Sequence, residues 1–596
     1  MRTDPPVTVV ESFRRRVTAT PRLLAWQHRT KRGWEDLTWR DAGQRVRAIS
    51  SGLTALGVKP GERVAILSGT RVEWILAALG ILSAGAAITT IYPSNTPEEC
   101  AFVLADSGSR ALIVENTQQL ARLESVRADL GELAHLILID GEAEGAVSWH
   151  DLQRNGKEAY ATDPEVLDAI GDDVKPGDLA ALIYTSGTTG QPKGVMLTHD
   201  NFTAACVAVE QHLPLEPIDK QFMFLPLSHS FGLVTTLVAM HLGAPTAFDG
   251  DIDRLVQGLA EVRPTFLPAV PRVFEKVYAK VADRARAGGE RRFAVFQWAE
   301  GVGREWSKRT RAGQRIGRRL TVKYAIANRL VFRKVRAAFG GRIRAFASGG
   351  APLAVELAEF FHACGIPVME GYGLTESTAI STVNRLEDFV LGTVGRAGDG
   401  LDVKIAEDGE VLIRGRTITP GYWNLPDATA EVLDAEGWLH TGDVGEIDAR
   451  GFLKITDRKK NLIITSGGKN IAPAKIENRL KARVPWIAEV LVHGDKRNYL
   501  TALIALDPEG LASLARREGW PGDPDALLDD ARVRAQLQSV VAEVNAGLPK
   551  FETIKTFALW KPAPTVEGGE LTQSLKVKRK VAEARHKAEL DALYPS

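Results

Sequence analysis

Cysteine and net charge are both scarce in this sequence. Of its 596 residues only three are cysteines, Cys100, Cys206 and Cys364, and they are far apart and odd in number. A disulfide framework is therefore excluded, and reduced thiols typical of a cytosolic protein are expected. The 75 basic and 74 acidic side chains leave a net charge of +1, which argues against nucleic acid as a partner.

The sequence also lacks a clear secretion or membrane signal. Its beginning, MRTDPPVTVVESFRRR, has no apolar segment behind the charges, so no secretory signal is expected. The stretch from Ile75 to Asn95 is uncharged and long enough to cross a bilayer, but Gly, Ser, Thr and Pro93 dilute it. We predict a buried helix and then a β-rich segment there, in a cytoplasmic protein for which peripheral membrane association is left open.

The order of apolar segments predicts the fold class. From GERVAILS to ALIVEN, strand-like and helix-like stretches alternate, as in a parallel sheet covered by helices. From about Gly400 short strands prevail, and after a charged break at residues 457–460 the chain has further strands and helices of its own. We predict an α/β fold with a large N-terminal domain of helix-covered sheets, a β-rich subdomain, and a small α+β C-terminal domain.

The stretch from Tyr184 to His199, YTSGTTGQPKGVMLTH, is rich in hydroxyls and glycines and contains one lysine. Because DLAALIY before it suits a strand and NFTAACVAVEQHL after it suits a helix, we predict that this loop lies at a strand-to-helix turn. Backbone N–H groups, hydroxyls and the Lys193 charge suit a triphosphate. The ordinary P-loop is excluded, because Gln191 and Pro192 precede Lys193 and Gly194 follows it. The candidate phosphate ligands are Ser186, Gly187, Thr188, Thr189, Gly190 and Lys193.

Two further glycine-rich turns follow predicted strands, at Ser348–Ala351 and Gly371–Glu376. Open α/β sheets bind ligands at the carboxyl ends of their strands, so we expect these turns and the hydroxyl-rich loop to meet at one sheet edge.

The order of motifs along the chain carries a family resemblance. The string S-G-T-T-G-x-P-K-G is followed by GYGLTES, GYWN, GWLHTGD, DRKKNLIITSGGKNIAP and LTQSLKVKRK. Together they resemble, over essentially the whole chain, the acyl-adenylate-forming superfamily of AMP-dependent synthetases. GYGLTE, SGGAPL, PAVPRVFEKVY and SGGKNIAP look most similar to bacterial long-chain fatty-acyl-CoA synthetases.

The resemblance implies roles for the residues that match its motifs. Glu376 and Thr185 would hold Mg²⁺, for which a carboxylate and a hydroxyl are suitable oxygen ligands. Tyr372 would offer a face to adenine, and Asp443, assisted by Arg458, would accept hydrogen bonds from the ribose hydroxyls. Further nucleotide-binding candidates are Gly350, Gly371, Gly373 and Thr375.

Lys576 is the candidate catalytic lysine, since an ammonium can offset charge that develops on the α-phosphate. The sequence departs from the common family form, because Leu575 stands where a glycine usually precedes that lysine. Lys578 and Lys580 leave the register open, and a basic solvated tail is the alternative. His229 lies either near the nucleotide and acyl group or, equally well, in the core as a satisfied histidine.

The reaction implied is the activation of a long-chain fatty acid by Mg·ATP to acyl-AMP and pyrophosphate, followed by transfer to coenzyme A with release of AMP. The implied domains are 1–456 for adenylation, a hinge at 457–461 with Lys460, and a mobile C-terminal domain at 462–596. Rotation about the hinge would withdraw Lys576 and bring the thiolation loop to CoA. That loop consists of Ser466, Gly467, Gly468, Lys469 and Asn470.

Two other functions remain open at this point. One is a fatty-acyl-AMP ligase that passes its acyl group to a carrier protein, and the other is a catalytically silent regulator that binds nucleotide or acyl-CoA. An oligomer is also left open.

The segment Arg284–Arg344 carries 18 basic residues against three acidic ones, an excess of 18 − 3 = +15, with aromatic residues between them. It is interpreted as a solvated helical face with an apolar stripe in the core, as a contact for the CoA phosphates, or as a surface that docks on anionic membrane.

Overall fold

The computed structural model describes residues 5–130, 132–186, 191–210, 212–213, 215–466, 469–484, 486–521, 524–565, 568–572 and 576–594. The fold class is the predicted one, with a large N-terminal part of sheets and helices followed by a C-terminal domain. Within the described ranges no helix is both long and apolar enough to span a bilayer.

The first region of the chain contributes nine strands and eight helices. The strands are β1 Leu24–Thr30, β2 Gly33–Thr38, β3 Arg63–Leu67, β4 Ala87–Ile91, β5 Ser109–Asn116, β6 His135–Asp140, β7 Ala146–Ser148, β8 Leu179–Ser186 and β9 Pro192–Thr198. The helices are α1 Val9–Ala19, α2 Trp39–Ala55, α3 Val72–Ser83, α4 Pro97–Ser107, α5 Thr117–Arg122, α6 Trp149–Thr162, α7 Pro164–Asp172 and α8 His199–Glu210. The uncharged stretch from Ile75 is thus a buried helix followed by a strand, as predicted.

Seven of these strands form one sheet in the order β7-β6-β5-β3-β4-β8-β9, parallel except for the last pair. Successive side chains of a strand point to opposite faces. In β3, Val64 and Ile66 join one hydrophobic cluster while Ala65 and Leu67 join another. The sheet is therefore buried on both faces, which explains the unbroken apolar run in its sequence.

The second region builds a nine-stranded sheet, together with β1 and β2. Its strands are β10 Gln221–Met223, β11 Thr246–Phe248, β12 Phe266–Ala269, β13 Ala345–Ser348, β14 Val368–Tyr372, β15 Thr382–Val383 and β16 Arg396–Ala397. Its helices are α9 Ser230–Leu242, α10 Leu255–Val262, α11 Pro271–Ala287, α12 Glu290–Arg311, α13 Arg318–Ala327, α14 Arg333–Ala338 and α15 Val355–Ala363. The order is β16-β15-β14-β13-β12-β10-β11-β1-β2.

Strands β12, β13 and β14 are parallel neighbours in that sheet, so their carboxyl ends share an edge. Ser348 ends β13 and pairs with Glu370 of β14, which places the turn at Gly349–Gly350 beside the one that begins at Gly371. These two glycine-rich turns therefore meet as predicted. The hydroxyl-rich loop joins β8 and β9 of the seven-stranded sheet, so the prediction that all three loops lie at one sheet edge is wrong.

The third region is the β-rich subdomain that was predicted from Gly400 onward. It contains β17 Leu401–Ile405, β18 Glu410–Gly415, β19 Leu439–Ile447 and β20 Leu453–Arg458, with the short helix α16 Pro426–Ala430. The four strands form an antiparallel sheet in chain order. Its last strand leads directly into the C-terminal region.

The C-terminal region has a hydrophobic cluster of its own, from Ile463 to Phe557. Its strands are β21 Ile463–Ile464, β22 Asn470–Ile471, β23 Ile487–His493, β24 Leu500–Leu506 and β25 Ile554–Leu559. Its helices are α17 Pro473–Arg483, α18 Pro508–Glu518, α19 Pro524–Leu527, α20 Ala531–Ala546, α21 Arg579–Arg585 and α22 Lys587–Asp591. The boundaries at 456, 457–461 and 462 stay predictions.

Candidate functional site

The hydroxyl-rich loop joins two antiparallel strands, so the predicted strand-to-helix turn is wrong. Thr185 pairs with Lys193 and Ser186 with Pro192, and β9 runs back along β8 before α8 begins. The short segment Pro192–Thr198 forms this strand because Val195 and Leu197 are buried on alternate positions. Gly187, Thr188, Thr189 and Gly190, at the tip, lie outside the described residues.

Lys193, Tyr422 and Glu376 form a connected group beside this hairpin. The Lys193 ammonium lies 5.0 Å from the centre of the Tyr422 ring, and the Tyr422 hydroxyl donates to Glu376 Oε1 at 2.8 Å. Burial, and then the nearby Glu376 charge, raise the pKa of Tyr422. Tyr422 therefore donates a hydrogen bond to the predicted metal ligand and presents its ring to the predicted phosphate lysine.

The segment that carries Tyr422 is fixed to β9 by its backbone. Met196 N donates to Gly421 O at 3.0 Å, and Trp423 N donates to Gly194 O at 2.7 Å. No role was predicted for Tyr422 from the sequence, although the residue belongs to the motif GYWN. Its position within a motif of the family resemblance was the signal that could have identified it.

The donor set near this hairpin suits a magnesium ion that is shared with phosphates. The short helix Thr375–Ser377, which contains Glu376, contacts β9, and β9 pairs with the strand of Thr185. Among the described residues no group of three His, Cys, Asp or Glu side chains is placed to hold a metal by itself. Mg²⁺ is commonly bound by one or two carboxylates together with substrate phosphates, so Glu376 and Thr185 fit that arrangement.

Tyr372, Asp443 and Arg458 form a second polar group. The Tyr372 hydroxyl donates to Asp443 Oδ2 at 2.6 Å, and Arg458 Nε lies 3.0 Å from Asp443 Oδ1. Asp443 and Arg458 are register partners on β19 and β20, and only 5% of the Asp443 side chain is exposed. Burial and the adjacent carboxylate raise the pKa of Tyr372. Each oxygen of the predicted ribose acceptor thus has a protein partner.

Lys576 extends from the C-terminal region toward this polar group. Burial, followed by the positive charge of Arg458, lowers the pKa of Lys576 to about 8, while Asp443 opposes the shift. The pKa of His229 falls to about 4, first through burial and then through the charge of Lys576. The Lys576 side chain is nonetheless exposed to solvent, and water there limits the desolvation. We call the space between Lys576 and the residues Asp443, Arg458 and His229 the cleft.

The backbone around Lys576 forms a small hairpin. Lys576 N donates to Thr572 Oγ1 at 3.0 Å, Thr572 N donates to Lys576 O at 2.7 Å, and Leu571 is bridged to Val577. Leu575, where the family motif has glycine, lies outside the described residues. The lysine whose charge acts on His229 is Lys576, and the choice of Lys576 over Lys578 or Lys580 stays a prediction.

His229 caps the helix that begins beside the cleft. It precedes α9, and its Nδ1 accepts a hydrogen bond from Phe231 N at 3.1 Å. With a pKa near 4 it is neutral at physiological pH. The ring is thus a satisfied helix cap that also neighbours the candidate catalytic lysine, and its place near the nucleotide and acyl group stays a prediction.

Some of the glycines that are predicted to let the nucleotide approach the backbone are also favoured or required by the fold itself. Gly350 has a φ of +83°, which favours glycine. A Cβ at Gly373 would lie 2.3 Å from Ala379 O, and one at Gly371 would lie 3.2 Å from Thr382 O. The Thr375 hydroxyl lies 3.2 Å from Ser230 Oγ. Packing of the chain against itself is thus sufficient to require Gly373.

The predicted thiolation loop lies in different surroundings. Ser466 N donates to Arg497 O at 3.0 Å, Ser466 Oγ is hydrogen-bonded to Asn498, and the Lys469 ammonium lies 5.8 Å from the Phe551 ring. All these partners belong to the C-terminal region. Gly467 and Gly468 lie outside the described residues, while Asn470 begins β22. The described residues of this loop form no hydrogen bond or ion pair with Tyr372, Asp443 or Arg458.

An ion pair links the N-terminal and C-terminal parts. Arg272 of α11 lies 3.0 Å from Glu489 of β23, which also pairs with Lys481 at 3.2 Å. Glu489 is buried, and burial raises the pKa of nearby Glu275. Lys460, the predicted hinge residue, is exposed in the short helix Lys459–Asn461. The pair at Glu489 is formed in the orientation in which Lys576 lies beside Asp443, Arg458 and His229.

Known proteins resemble this chain over nearly its whole length. Residues 13–423 match the family described as AMP-binding enzyme, and residues 460–596 match the AMP-binding enzyme C-terminal domain. The long-chain-fatty-acid–CoA ligase FadD15 of Mycobacterium bovis is 36% identical over 578 residues, which cover 96% of this chain and 95% of that protein. The long-chain-fatty-acid–CoA ligase ACSBG2 of Xenopus laevis is 33% identical over 99% of this chain and 84% of its own length.

Solved structures share the fold at lower identity. The adenylation domain of a carboxylate reductase from Mycobacterium chelonae has a TM-score of 0.77 and 23% identity, covering 99% of this chain and 92% of that one. A fatty acyl CoA synthetase of Mycobacterium tuberculosis has a TM-score of 0.62 and 24% identity, with coverage of 98% and 99%. The resemblance inferred from the motifs is confirmed, and the chain belongs to the family of AMP-binding enzymes.

Proposed function

We propose that the protein is an AMP-forming long-chain fatty-acid–CoA ligase. It converts a fatty acid, ATP and CoA into acyl-CoA, AMP and pyrophosphate. The observation that carries the proposal is the position of Lys576, which enters the cleft beside Asp443, Arg458 and His229. The names of the full-length relatives indicate a long-chain fatty acid as the acyl substrate.

The phosphates of ATP would bind at the β8–β9 hairpin. Lys193 supplies a positive charge there, and the Tyr422 ring holds that ammonium over its face. Glu376 and Thr185 would hold Mg²⁺, which when bound neutralises charge on the phosphate oxygens. Tyr422 donates to Glu376 Oε1 and leaves the other carboxylate oxygen for the ion.

The nucleoside would bind against Tyr372 and Asp443. Asp443 accepts hydrogen bonds from the ribose hydroxyls through the lone pairs that Tyr372 and Arg458 leave free. The Tyr372 ring, fixed by its hydroxyl, offers a flat surface to adenine. Gly350 and Gly371 line the same sheet edge.

In the first half-reaction a carboxylate oxygen of the fatty acid forms a bond to the α-phosphorus, and the bond from that phosphorus to pyrophosphate breaks. Negative charge grows on the α-phosphate oxygens during the attack. The Lys576 ammonium offsets this charge, and His229 adds no competing positive charge because it is neutral.

In the second half-reaction the CoA thiolate attacks the acyl carbon, and AMP leaves with the bonding electrons. The loop Thr465–Asn470 would hold the pantetheine after the C-terminal domain has rotated about Lys460 and withdrawn Lys576. The contacts of Ser466 and Lys469 within the C-terminal region support this proposal, since they allow the loop to move as part of that domain. The oligomeric state stays a prediction.

Release of pyrophosphate and AMP, each with and without CoA, tests the proposal. A ligase forms pyrophosphate once without CoA and releases AMP continuously when CoA is added. A fatty-acyl-AMP ligase would gain nothing from CoA and would need a carrier protein, and a silent regulator would release no pyrophosphate. Either of the last two results would overturn the proposed function.

A further inference from the structure

The chain contains a long segment without acidic residues. Between Glu305 and Glu356 there is no Asp or Glu, while 13 residues are Lys or Arg. The segment folds as the end of α12, then α13, a π-helical turn at Asn328–Phe332, and α14. Arg309 and Arg311 in it are paired with Glu305 and Glu359. For the other Lys and Arg residues of the segment, the position on the surface decides whether they could bind a partner.

One exposed surface, which we call the α12–α13 face, combines unpaired cations with apolar side chains. Its apolar members are Trp298, Val322, Ile326 and Leu330, whose exposed fractions are 38%, 59%, 47% and 44%. Its cationic members are Arg319, Lys323, Arg329 and Arg333, all exposed and without an ion pair to any carboxylate in the described ranges.

The helix periodicity places these residues together. Val322 and Lys323 lie three and four residues after Arg319, and Ile326 lies four and three residues after them, so all four lie on one side of α13. Trp298 of α12 joins them across an open groove of about 480 Å³ that Arg319, Leu320 and Lys323 also line. Exposed apolar side chains thus lie beside cations here, and the one acidic residue that lines the groove, Glu305, is paired with Arg309.

The other side of the helices is buried. The Tyr324 ring stacks on Trp306 at 4.3 Å between centres, its hydroxyl donates to Ala363 O at 2.9 Å, and Phe296 and Phe332 are in the core. Most aromatic residues that the sequence analysis placed among the cations therefore stabilise the fold. Trp298 and the three aliphatic residues are not needed for that packing.

We propose that the α12–α13 face docks on an anionic lipid bilayer. Positive charge complements the lipid headgroups, and the apolar side chains gain by entering the interface, so the two kinds of residue act together. Such a surface suits the proposed function, because a long-chain acid partitions into membranes, and α12 packs on α15, the helix that follows the Gly350 turn. Docking itself does not depend on the enzyme being active.

Sedimentation of the full chain with phosphatidylcholine vesicles, with and without phosphatidylglycerol, tests this inference at low and high salt. Wild type is expected to bind the anionic vesicles at low salt and to dissociate from them at high salt. It is not expected to bind neutral vesicles. Replacing Arg319, Lys323, Arg329 and Arg333 by Gln should weaken binding at least about tenfold. Arg311 is left unchanged, because its charge is already paired with Glu359.

A matched variant removes the same charge elsewhere. Lys31, Arg32, Arg110 and Lys157 are exposed and belong to other surfaces, and their replacement by Gln should leave binding as in wild type. A third variant, Val322→Ser with Ile326→Ser, should weaken binding while keeping its salt dependence. Pyrophosphate release with an acid dispersed in water should be normal in all three, which reports correct folding.

Three results would overturn the inference. They are a wild type that stays in solution with anionic vesicles at low salt, a face variant that binds like wild type, and a matched variant that loses as much binding as the face variant. Failure of vesicle binding with normal pyrophosphate release would contradict docking alone. Absence of pyrophosphate release with intact vesicle binding would contradict the ligase function alone.

Discussion

Lys576 and the loop around Ser466 belong to the same C-terminal region but have neighbours in different parts of the molecule. The Lys576 ammonium acts on the pKa of His229, across the cleft, whereas Ser466 and Lys469 contact Arg497, Asn498 and Phe551 of their own region. In the proposed mechanism, this orientation of the domain presents the charge for the first half-reaction and keeps away the loop for the second. The two steps must be separable by mutation.

Lys576→Ala should have the largest effect. Formation of acyl-AMP should fall by about two or more orders of magnitude, because the transition state loses a preorganised charge. Transfer from supplied acyl-AMP to CoA should be nearly unchanged, and single-turnover assays of each half-reaction measure this. Lys578→Ala is the control, and a selective defect in that variant instead would move the catalytic role to Lys578.

Lys460→Pro tests the second half-reaction, which is proposed to need rotation of the C-terminal domain. Proline fixes φ and removes an N–H, so it should hinder rotation about the hinge. The second half-reaction should fall by up to about 100-fold, since small misplacements of reacting groups have effects of that size. Acyl-AMP formation should change much less. Lys460→Ala keeps the backbone free and should behave like wild type, and equal losses in both half-reactions of the proline variant would contradict the hinge.

Asp443→Ala should weaken the use of ATP in the first half-reaction. Loss of hydrogen bonds to a charged acceptor raises the KM for ATP by about tenfold to a hundredfold. Preference among fatty acids of different length should not change, because the proposed place of Asp443 is at the nucleoside. Steady-state kinetics across a panel of acids checks both points, and a changed chain-length profile would show that Asp443 belongs to the acyl pocket.

The pH dependence of the two steps should also differ. The Lys576 pKa of about 8 means that its ammonium is present below that pH and is lost above it. Acyl-AMP formation should therefore decline above about pH 8 and approach a tenfold loss per further unit. Lys576→Arg, whose charge persists, should abolish this decline. A rate in wild type that stays constant to pH 10 would contradict the role of the lysine.

Arg272→Ala should have the smallest effect. It removes the cross-domain partner of Glu489 and should destabilise the orientation that places Lys576 in the cleft, lowering acyl-AMP formation by about fivefold. Thioester formation should be unchanged or faster. Arg344→Ala, which unpairs buried Asp219 within the N-terminal part, is the control for general stability. Loss of both half-reactions in Arg272→Ala alone would argue against an effect on orientation.

Local patterns predicted much of the fold. Apolar runs such as RVAIL and ALIVEN gave strands, and the turns after β13 and β14 lie at one edge as the parallel topology requires. The hairpin of β8 and β9 was missed because Pro192 and Gly194 make Pro192–Thr198 look like a loop. Its strand character depends on pairing with β8 and with Tyr422, which local sequence does not encode.

Contacts between distant residues were the least predictable part of the site. Tyr422 and Glu376 are 46 residues apart, and Arg272 and Glu489 are 217 apart. Motif order identified Glu376, Asp443 and Lys576 as individual candidates. The hydrogen bond from Tyr422 and the ion pair across the domains arise only from packing in three dimensions.

The double engagement of Asp443 has a consequence for the choice between ribonucleotides and deoxyribonucleotides. A site rejects an analogue that lacks a hydroxyl most strongly when a buried polar group is left without any partner. Here Tyr372 and Arg458 each keep one oxygen of Asp443 satisfied. Removal of the 2′-hydroxyl would thus leave no bare charge behind, and the enzyme should discriminate only modestly against dATP, relying on cellular nucleotide concentrations for the rest.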